Sequence, residues 1–423
     1  MPLESVTRSH DLPWLSDRLD ELIQALVQGG ALGLIIIDAS VLGEIERRHG
    51  ANALRGSMEV LVQTLLPTLQ EVLGAKPWLM GQALEPERLL VFAPRPRTDR
   101  AFYTRSLSRL EEKLREHVSV AIQRIAYPYL TGIFDIPVGS SIVLHRPFHR
   151  PESEIQRLVS EAFRTGEFEA ERMRRERGGL LQRLIIEEGL STVYEPIVAL
   201  EDAAILGYEA LTRGPGGGPL ASPMVCFNIA QRCGLDFELD SVCRKLALRN
   251  ARGLEAGEAL FLNILPSSIH DMDFNDESVR AALLDLSIKP GQIVFEISER
   301  QTIGNYTRFR EAIDRLVSLG CRIAVDDVGS GYSNLETAIE LSPDYLKVDR
   351  TLIHQIHTDP QKQEILRGLV RLGQKMKASI IAEGIESEEE RAALRDLGVT
   401  YGQGYAIGRG RSSLSRRKAA GAL

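Results

Sequence analysis

The chain has 423 residues, 43% hydrophobic and 26% charged, an ordinary globular composition with length enough for two or three separately packed domains. The formal net charge of −7 excludes broad electrostatic binding to DNA, which needs a basic face, so no DNA partner is expected. A negative protein that handles an anionic substrate must neutralise it locally, and metal ions held by clustered carboxylates do this.

The longest apolar runs, such as Leu34-Ile35-Ile36-Ile37, fall far short of a membrane span. Glu4, His10 and Asp11 precede Trp14, where a secretory leader would carry a basic start and a long apolar run. The expectation is a cytoplasmic chain without a membrane span. Cys226, Cys233, Cys243 and Cys321 form no C-x-x-C pair and read as reduced thiols rather than a zinc site or a disulfide.

In chain order, Leu34–Ile37 is a compact apolar run ending at Asp38. A helical pattern follows through Val41, Ile45, Leu54, Val60, Leu61 and Leu65. Leu89-Leu90-Val91-Phe92 reads as a strand, Phe102–Glu116 as a helix and Val118–Ile125 as a strand. Alternating strands and helices make residues 1–166 an α/β domain. Residues 167–188 are dense in Arg and Glu and predict a charged helical connector, with a break at Gly178-Gly179. Such a segment serves equally as a signalling helix or as a passive spacer.

Over residues 189–412 the rhythm is clearer. Apolar, β-rich runs recur at Val193–Leu200, Ile205–Leu211, Leu260–Ile264, Ile293–Ile297, Arg322–Val325, Tyr345–Val348, Ser379–Ala382 and Tyr401–Ile407. Helix-like stretches separate most of them, including Asp240–Arg252, Tyr306–Leu319, Gln361–Lys377 and Ser387–Leu397. The first two runs are close enough for a hairpin, and the longer crossovers make most other neighbours parallel. The fold predicted is a β/α (TIM-type) barrel after an N-terminal α/β domain, with a basic tail over 413–423.

A polar residue stands at or near the end of nearly every strand: Glu209, Asn263, Glu296, Asp326 with Asp327, Lys347, Glu383 and Gln403. In a β/α barrel these ends converge on one rim. Any one acid there reads equally well as a solvated loop carboxylate or a helix cap. The whole set, at the same end of successive strands, does not. Gathered carboxylates with an Asn and no His or Cys form an oxygen-rich site that suits Mg²⁺ or Mn²⁺ better than Zn²⁺. Adjacent Asp326 and Asp327 can serve two ions, a pair suited to phosphodiester hydrolysis. Gly214–Gly218 lacks the Gly-Lys-Ser/Thr ending of a phosphate-binding loop.

At these residues the chain resembles the EAL family of cyclic di-GMP phosphodiesterases, over roughly Leu181 to Arg411. The matching motifs are Glu209-Ala210-Leu211-Thr212-Arg213, Asn263-Ile264, Glu296-Ile297-Ser298-Glu299, Asp326-Asp327-Val328-Gly329-Ser330-Gly331-Tyr332-Ser333, Lys347-Val348-Asp349-Arg350, Ala382-Glu383-Gly384-Ile385-Glu386 and Gln403-Gly404-Tyr405. The resemblance implies metal-dependent hydrolysis of cyclic di-GMP to linear pGpG by a homodimer. By the same token, Glu209, Asn263, Glu296 and Asp326 would ligate one of two divalent ions, and Asp326 and Asp327 the second, with Glu383 beside it as ligand or base. Lys347 would orient water, Gln403 support the site, Arg213 contact a phosphate and Glu299 anchor the loop from Asp327 to Ser333. Glu195, Val328 and Arg409-Gly410 replace a usual Gln, Phe and Arg-Pro, and Glu195 remains a substrate-side candidate. A catalytically weak cyclic di-GMP receptor on the same barrel is the alternative.

The N-terminal half resembles a degenerate GGDEF domain. Asp38 matches a metal-binding aspartate, Ser40 lies near a second expected polar group, and Glu46-Arg47 replace a guanine-recognising Asn-Asp. The signature hairpin reads Leu84-Glu85-Pro86-Glu87-Arg88, where Pro86 removes a backbone donor. The resemblance therefore implies a regulatory domain that does not make cyclic di-GMP.

Overall fold

The computed structural model describes residues 12–74, 77–82, 85–126, 129, 134–218, 220–266, 268, 287–297, 306–329 and 340–414. Two compact units divide the chain, Met1–Leu180 and Leu181–Leu423.

The first unit is built on strands β1 (Ala31–Asp38), β2 (Trp78–Gln82), β3 (Glu85–Ala93) and β4 (Val138–Leu144), in the order β2-β3-β1-β4 with every pair antiparallel. Its described α-helices are α1 (Leu19–Gly29), α2 (Gly43–His49), α3 (Ala51–Leu73), α4 (Leu107–Ala126) and most of α5 (Pro151–Ile186), which runs on into the second unit. Strand β1 lies between β3 and β4 and is buried along its whole length, which explains its unbroken apolar run. Alternate residues serve the two faces. Ile35 and Ile37 join the core with Leu61, Leu65, Leu110 and Leu114, while Leu32, Leu34 and Ile36 pack with Leu22, Leu26 and Leu158.

Two expectations for this half are corrected. Val118–Ile125 is not a strand but the end of α4. Val118, Ala121, Ile122 and Ile125 are buried whereas Val120 is 61% exposed, and spacings of three and four place the buried set on one helical face. The β-branched residues that suggested a strand are tolerated because that face packs. Nor does the connector begin at residue 167 or break at Gly178-Gly179, because α5 is one helix of 36 residues. Two glycines cost a helix about 1 kcal/mol each relative to alanine, too little to stop one this long.

The second unit closes an eight-stranded barrel from β5 (Ser191–Ala199), β6 (Ile205–Arg213), β7 (Ala259–Ile264), β8 (Ile293–Ile297), β9 (Arg322–Val328), β10 (Tyr345–Val348), β11 (Ser379–Ala382) and β12 (Tyr401–Gly402). Strand β5 is antiparallel to both β6 and β12, and all other neighbours are parallel. The described helices are α6 (Pro223–Cys233), α7 (Asp236–Asn250), α8 (Tyr306–Ser318), α9 (Arg350–Ile353), α10 (Pro360–Met376) and α11 (Glu388–Asp396). Strand β12 has only two residues, so the predicted run to Ile407 is too long. A side chain at Gly402 would require the Ile385 and Leu200 side chains to shift, since a Cβ would approach their ends to 2.5 and 2.8 Å.

Inside the barrel, Ile197, Ala259, Phe261, Val294, Ala324, Tyr345 and Ile381 form an apolar plug. The plug sets the direction of everything above it. Strand side chains alternate with period two, so the residue two positions further toward the rim also points inward. That residue is Asn263 after Phe261, Glu296 after Val294, Asp326 after Ala324, Lys347 after Tyr345 and Glu383 after Ile381. On reversed β5 the count runs backwards, from Ile197 to Glu195.

Candidate active site

Lys347 is the centre of the rim. Its ammonium is fully buried and lies 2.7 Å from Glu296 Oε1, 2.7 Å from Glu383 Oε1, 3.1 Å from Glu209 Oε2 and 3.6 Å from Asp326 Oδ1. Burial alone would lower its pKa, but Asp326, Glu209, Glu296 and Glu383 outweigh it and hold the ammonium well above its usual range. Glu209 also accepts hydrogen bonds from Gln403 Nε2 at 2.6 Å and Asn263 Nδ2 at 3.4 Å. Burial pushes the Glu209 carboxyl up, and Lys347 with these two amides brings it below the ordinary carboxylate range. Glu296 moves the other way, driven well up by burial and by Glu209, with Lys347 opposing. Burial likewise raises Glu383 well above the usual range, against Lys347 and together with Asp326 and Glu209.

Four carboxylates around one ammonium is an unbalanced arrangement in a desolvated place. Both oxygens of fully buried Glu296 lack a directed hydrogen bond, although Lys347 is close. A buried carboxylate whose one close cation is an ammonium shared with three other acids keeps lone pairs that a hard cation can use. A second acidic group lies beside it, where one carboxylate oxygen each from Asp326, Asp327 and Glu383 fall within 4.8 Å of one another. The donor set therefore fits divalent cations.

Asp326 and Asp327 both reach the rim because of a backbone irregularity. Strand β9 pairs with β10 as Leu346↔Val325 and then Val348↔Val328, so two aspartates oppose the single Lys347. This is a β-bulge, and Asp327 takes the left-handed conformation within it at φ 56°. Aspartate is among the few residues other than glycine that enter this region readily. The Asp327 N–H donates to Asp326 Oδ1 at 2.9 Å, fixing the first carboxylate against the second residue's backbone.

The remaining predicted residues divide. Glu195 stands directly across from Glu209 in the β5–β6 pair, and burial and that neighbour raise its pKa. Arg213 is exposed at the end of β6, its Nη1 donating to the Thr212 carbonyl at 2.9 Å, and it borders a cavity of about 300 Å³ shared with Asn263. Glu299 and residues 330–333 of the predicted loop lie outside the described residues. Val328, in place of a usual Phe, is fully buried in the barrel core. Sequence reasoning missed the Asp240–Arg244 ion pair, which lines the same cavity and is buried on both sides. Its signal was an acid and a base four apart on the face of α7 that also carries Leu239 and Ala247.

These features define a β/α barrel with one reversed strand and an acidic, lysine-centred site at its rim. The chain belongs to the EAL domain family, whose profile matches residues 180–410, more than half of the 423 residues. It is similar to an uncharacterized signaling protein of Caulobacter vibrioides, at 31% identity over 240 residues, covering 56% of this chain and 29% of that protein. It is similar also to the cyclic di-GMP phosphodiesterase RocR of Pseudomonas aeruginosa, at 32% identity over 225 residues, covering 51% of this chain and 56% of RocR. The solved structure of the PaMucR phosphodiesterase in complex with c-di-GMP aligns with a TM-score of 0.50 and 28% identity, over 55% of this chain and 97% of that one.

Proposed function

We propose that the barrel hydrolyses cyclic di-GMP to linear pGpG, using two divalent ions, Mg²⁺ or Mn²⁺. The observation that carries this reading is the group of Glu209, Glu296, Asp326 and Glu383 around Lys347, four buried or half-buried carboxylates sharing one ammonium. The likeness to RocR and PaMucR, whose names give that activity and ligand, supports it. Glu209, Asn263, Glu296 and Asp326 would hold one ion, and Asp326 and Asp327 with Glu383 the other. When bound, such ions neutralise the phosphodiester and make an attacking water more acidic.

The chain's own groups supply the rest. Glu383 takes the proton of water, and Lys347, 2.7 Å from it, orients that water. The water oxygen bonds to phosphorus as one ring P–O bond breaks, and the released ribose oxygen takes up a proton from solvent, leaving a linear dinucleotide with a terminal phosphate. Arg213 contacts a phosphate from the rim, Glu195 faces the substrate and Gln403 keeps Glu209 oriented; Glu299, outside the described residues, would have the loop-anchoring role that the family resemblance implies. We read the whole as a cytoplasmic homodimer, and residues 1–166, within the first unit, as a degenerate GGDEF-like regulatory domain. In support, Arg88 Nε donates to Asp38 Oδ2 at 2.9 Å, and Ser40 N donates to Oδ1 at 3.0 Å. An internal guanidinium thus occupies the carboxylate that a cyclase would give to metal.

The test is incubation with cyclic di-GMP and Mg²⁺ or Mn²⁺, followed by product identification. Linear pGpG that disappears on chelation is expected. Tight binding without turnover would establish the receptor instead.

A further inference from the structure

At the end of the first sheet where β1 begins and β3 and β4 finish, two loops fasten to one turn. The Arg97 N–H donates to the Gly29 carbonyl at 2.8 Å and the His145 N–H to the Gly30 carbonyl at 3.0 Å. The loops read Pro94-Arg95-Pro96-Arg97-Thr98-Asp99-Arg100 and His145-Arg146-Pro147-Phe148-His149-Arg150. They bring Arg95, Arg97, Arg100, Arg146 and Arg150 to one end, and none of these forms an ion pair among the described residues. Acids of the same segments are Asp99, whose carboxylate is taken by the Phe102 N–H at 3.1 Å, and, on the first turn of α5, exposed Glu152 and buried Glu154, the latter turned onto His145 and the Arg146 N–H. A strongly basic end thus stands on a chain of net charge −7.

The second loop is built rather than slack. Buried Glu154 accepts from the Arg146 N–H and faces His145 Nδ1, both at 3.2 Å, and the His149 N–H closes a turn on the Arg146 carbonyl at 3.0 Å. Held at the tip of that turn is Phe148, 100% exposed. Exposed Leu144, 43%, continues the apolar character down the edge strand. Phe148 thus stands fully in water between exposed Arg146 and Arg150 of the same loop, an aromatic ring and two cations presented together.

We propose that this end of the first unit docks onto an anionic lipid bilayer, with Phe148 entering the interface and the arginines meeting the headgroups. An anionic bilayer fits the charge of this end, and it accepts a single aromatic ring at its interface without a preformed cavity. Aromatic side chains are at home at headgroup depth. Each arginine near an anionic surface raises partitioning about fivefold, and salt screens the effect. The inference does not depend on the chemistry of the barrel.

The full chain is sedimented with vesicles of phosphatidylcholine alone and of phosphatidylcholine with phosphatidylglycerol. Binding is expected only with phosphatidylglycerol, weakening with salt, falling more than tenfold or so in R146E/R150E and severalfold in F148S. All three positions are exposed, so circular dichroism should not change. Phe148→Trp gives a second reading: its emission, relative to the native protein, should shift to the blue and be quenched by brominated lipid. Absence of binding, equal binding to both vesicles, or binding indifferent to these substitutions overturns the proposal. So does loop-dependent capture of a single-stranded oligonucleotide that displaces the vesicles.

Discussion

Lys347 and its carboxylates form a charge-dense centre in which each residue's removal has a distinct signature. Replacing Lys347 by Met keeps the volume but leaves Glu209, Glu296, Asp326 and Glu383 without their shared cation. Loss of one partner from a buried ionic group costs about 3–5 kcal/mol, so thermal denaturation should show a marked loss of stability in chelator. Added Mn²⁺ should recover more stability in this variant than in the native protein, since ligand binding to the folded state is stabilising. Gln403 tests the layer behind the acids. It donates to Glu209 at 2.6 Å, and Gln403→Ala should lower metal affinity or turnover about 10–100-fold while leaving Glu209 in place. Equal affinity and turnover in a metal titration would remove Gln403 from the machinery.

Asp327 separates shape from charge. At φ 56° it sits where asparagine is nearly as comfortable as aspartate, whereas alanine costs about 1–2 kcal/mol. Asp327→Asn should melt like the native protein and Asp327→Ala should melt lower. Both should lose most turnover if the carboxylate is a ligand. Full activity in the Asn variant would reduce Asp327 to a builder of the bulge.

At the scale of elements, the start of α11 shows how one carboxylate ties several segments together. Glu390 accepts from Gln355 N and Glu386 N at 2.8 Å and from Ser387 N at 3.3 Å, while Ser387 Oγ accepts the Glu390 N–H at 3.2 Å. This is a capping box widened to a third N–H donor. Burial pushes the Glu390 pKa up, but the N–H groups of Glu386, Gln355 and Ser387, aided by His354, win and leave it lowered. A carboxylate depressed on folding contributes stability above its unfolded pKa of about 4.3, and loses it as pH falls through the folded value. Glu390→Gln should therefore cost about 1–3 kcal/mol at neutral pH, and the deficit should shrink in acid. Denaturant melts at two pH values measure both quantities, and a deficit constant with pH would refute the assignment.

At the scale of the whole molecule, the second unit has its own core, running from Tyr194 through Phe295 and Ile353 to Leu414. A chain shortened to start near Arg177 should fold and retain the proposed hydrolysis. Change in its rate or oligomeric state would measure what the first unit contributes, and no change would leave that unit without a regulatory role. The full chain should make no detectable cyclic di-GMP from GTP, given that Arg88 and Ser40 occupy Asp38. Any such product would overturn that reading.

What was legible in the amino-acid order follows from the period of a strand. An acid, amide or lysine two residues beyond an inward apolar residue must point into the same barrel, as Glu296 does after Val294 and Lys347 after Tyr345. The barrel, its reversed first pairing and the convergence of the rim residues were therefore readable without coordinates. Local pattern failed where two periods compete or where an interruption is small. Val118–Ile125 carries β-branched residues in an order that also satisfies a helix, and only packing against the first unit's core chose between them. Register, bulges and ion pairing depend on residues distant in sequence. The bulge that sets Asp326 and Asp327 against one lysine, the Arg88 guanidinium on Asp38, and the buried Asp240–Arg244 pair were decided only when the chain closed on itself. Their partners are brought together by three-dimensional packing, which no local periodicity encodes.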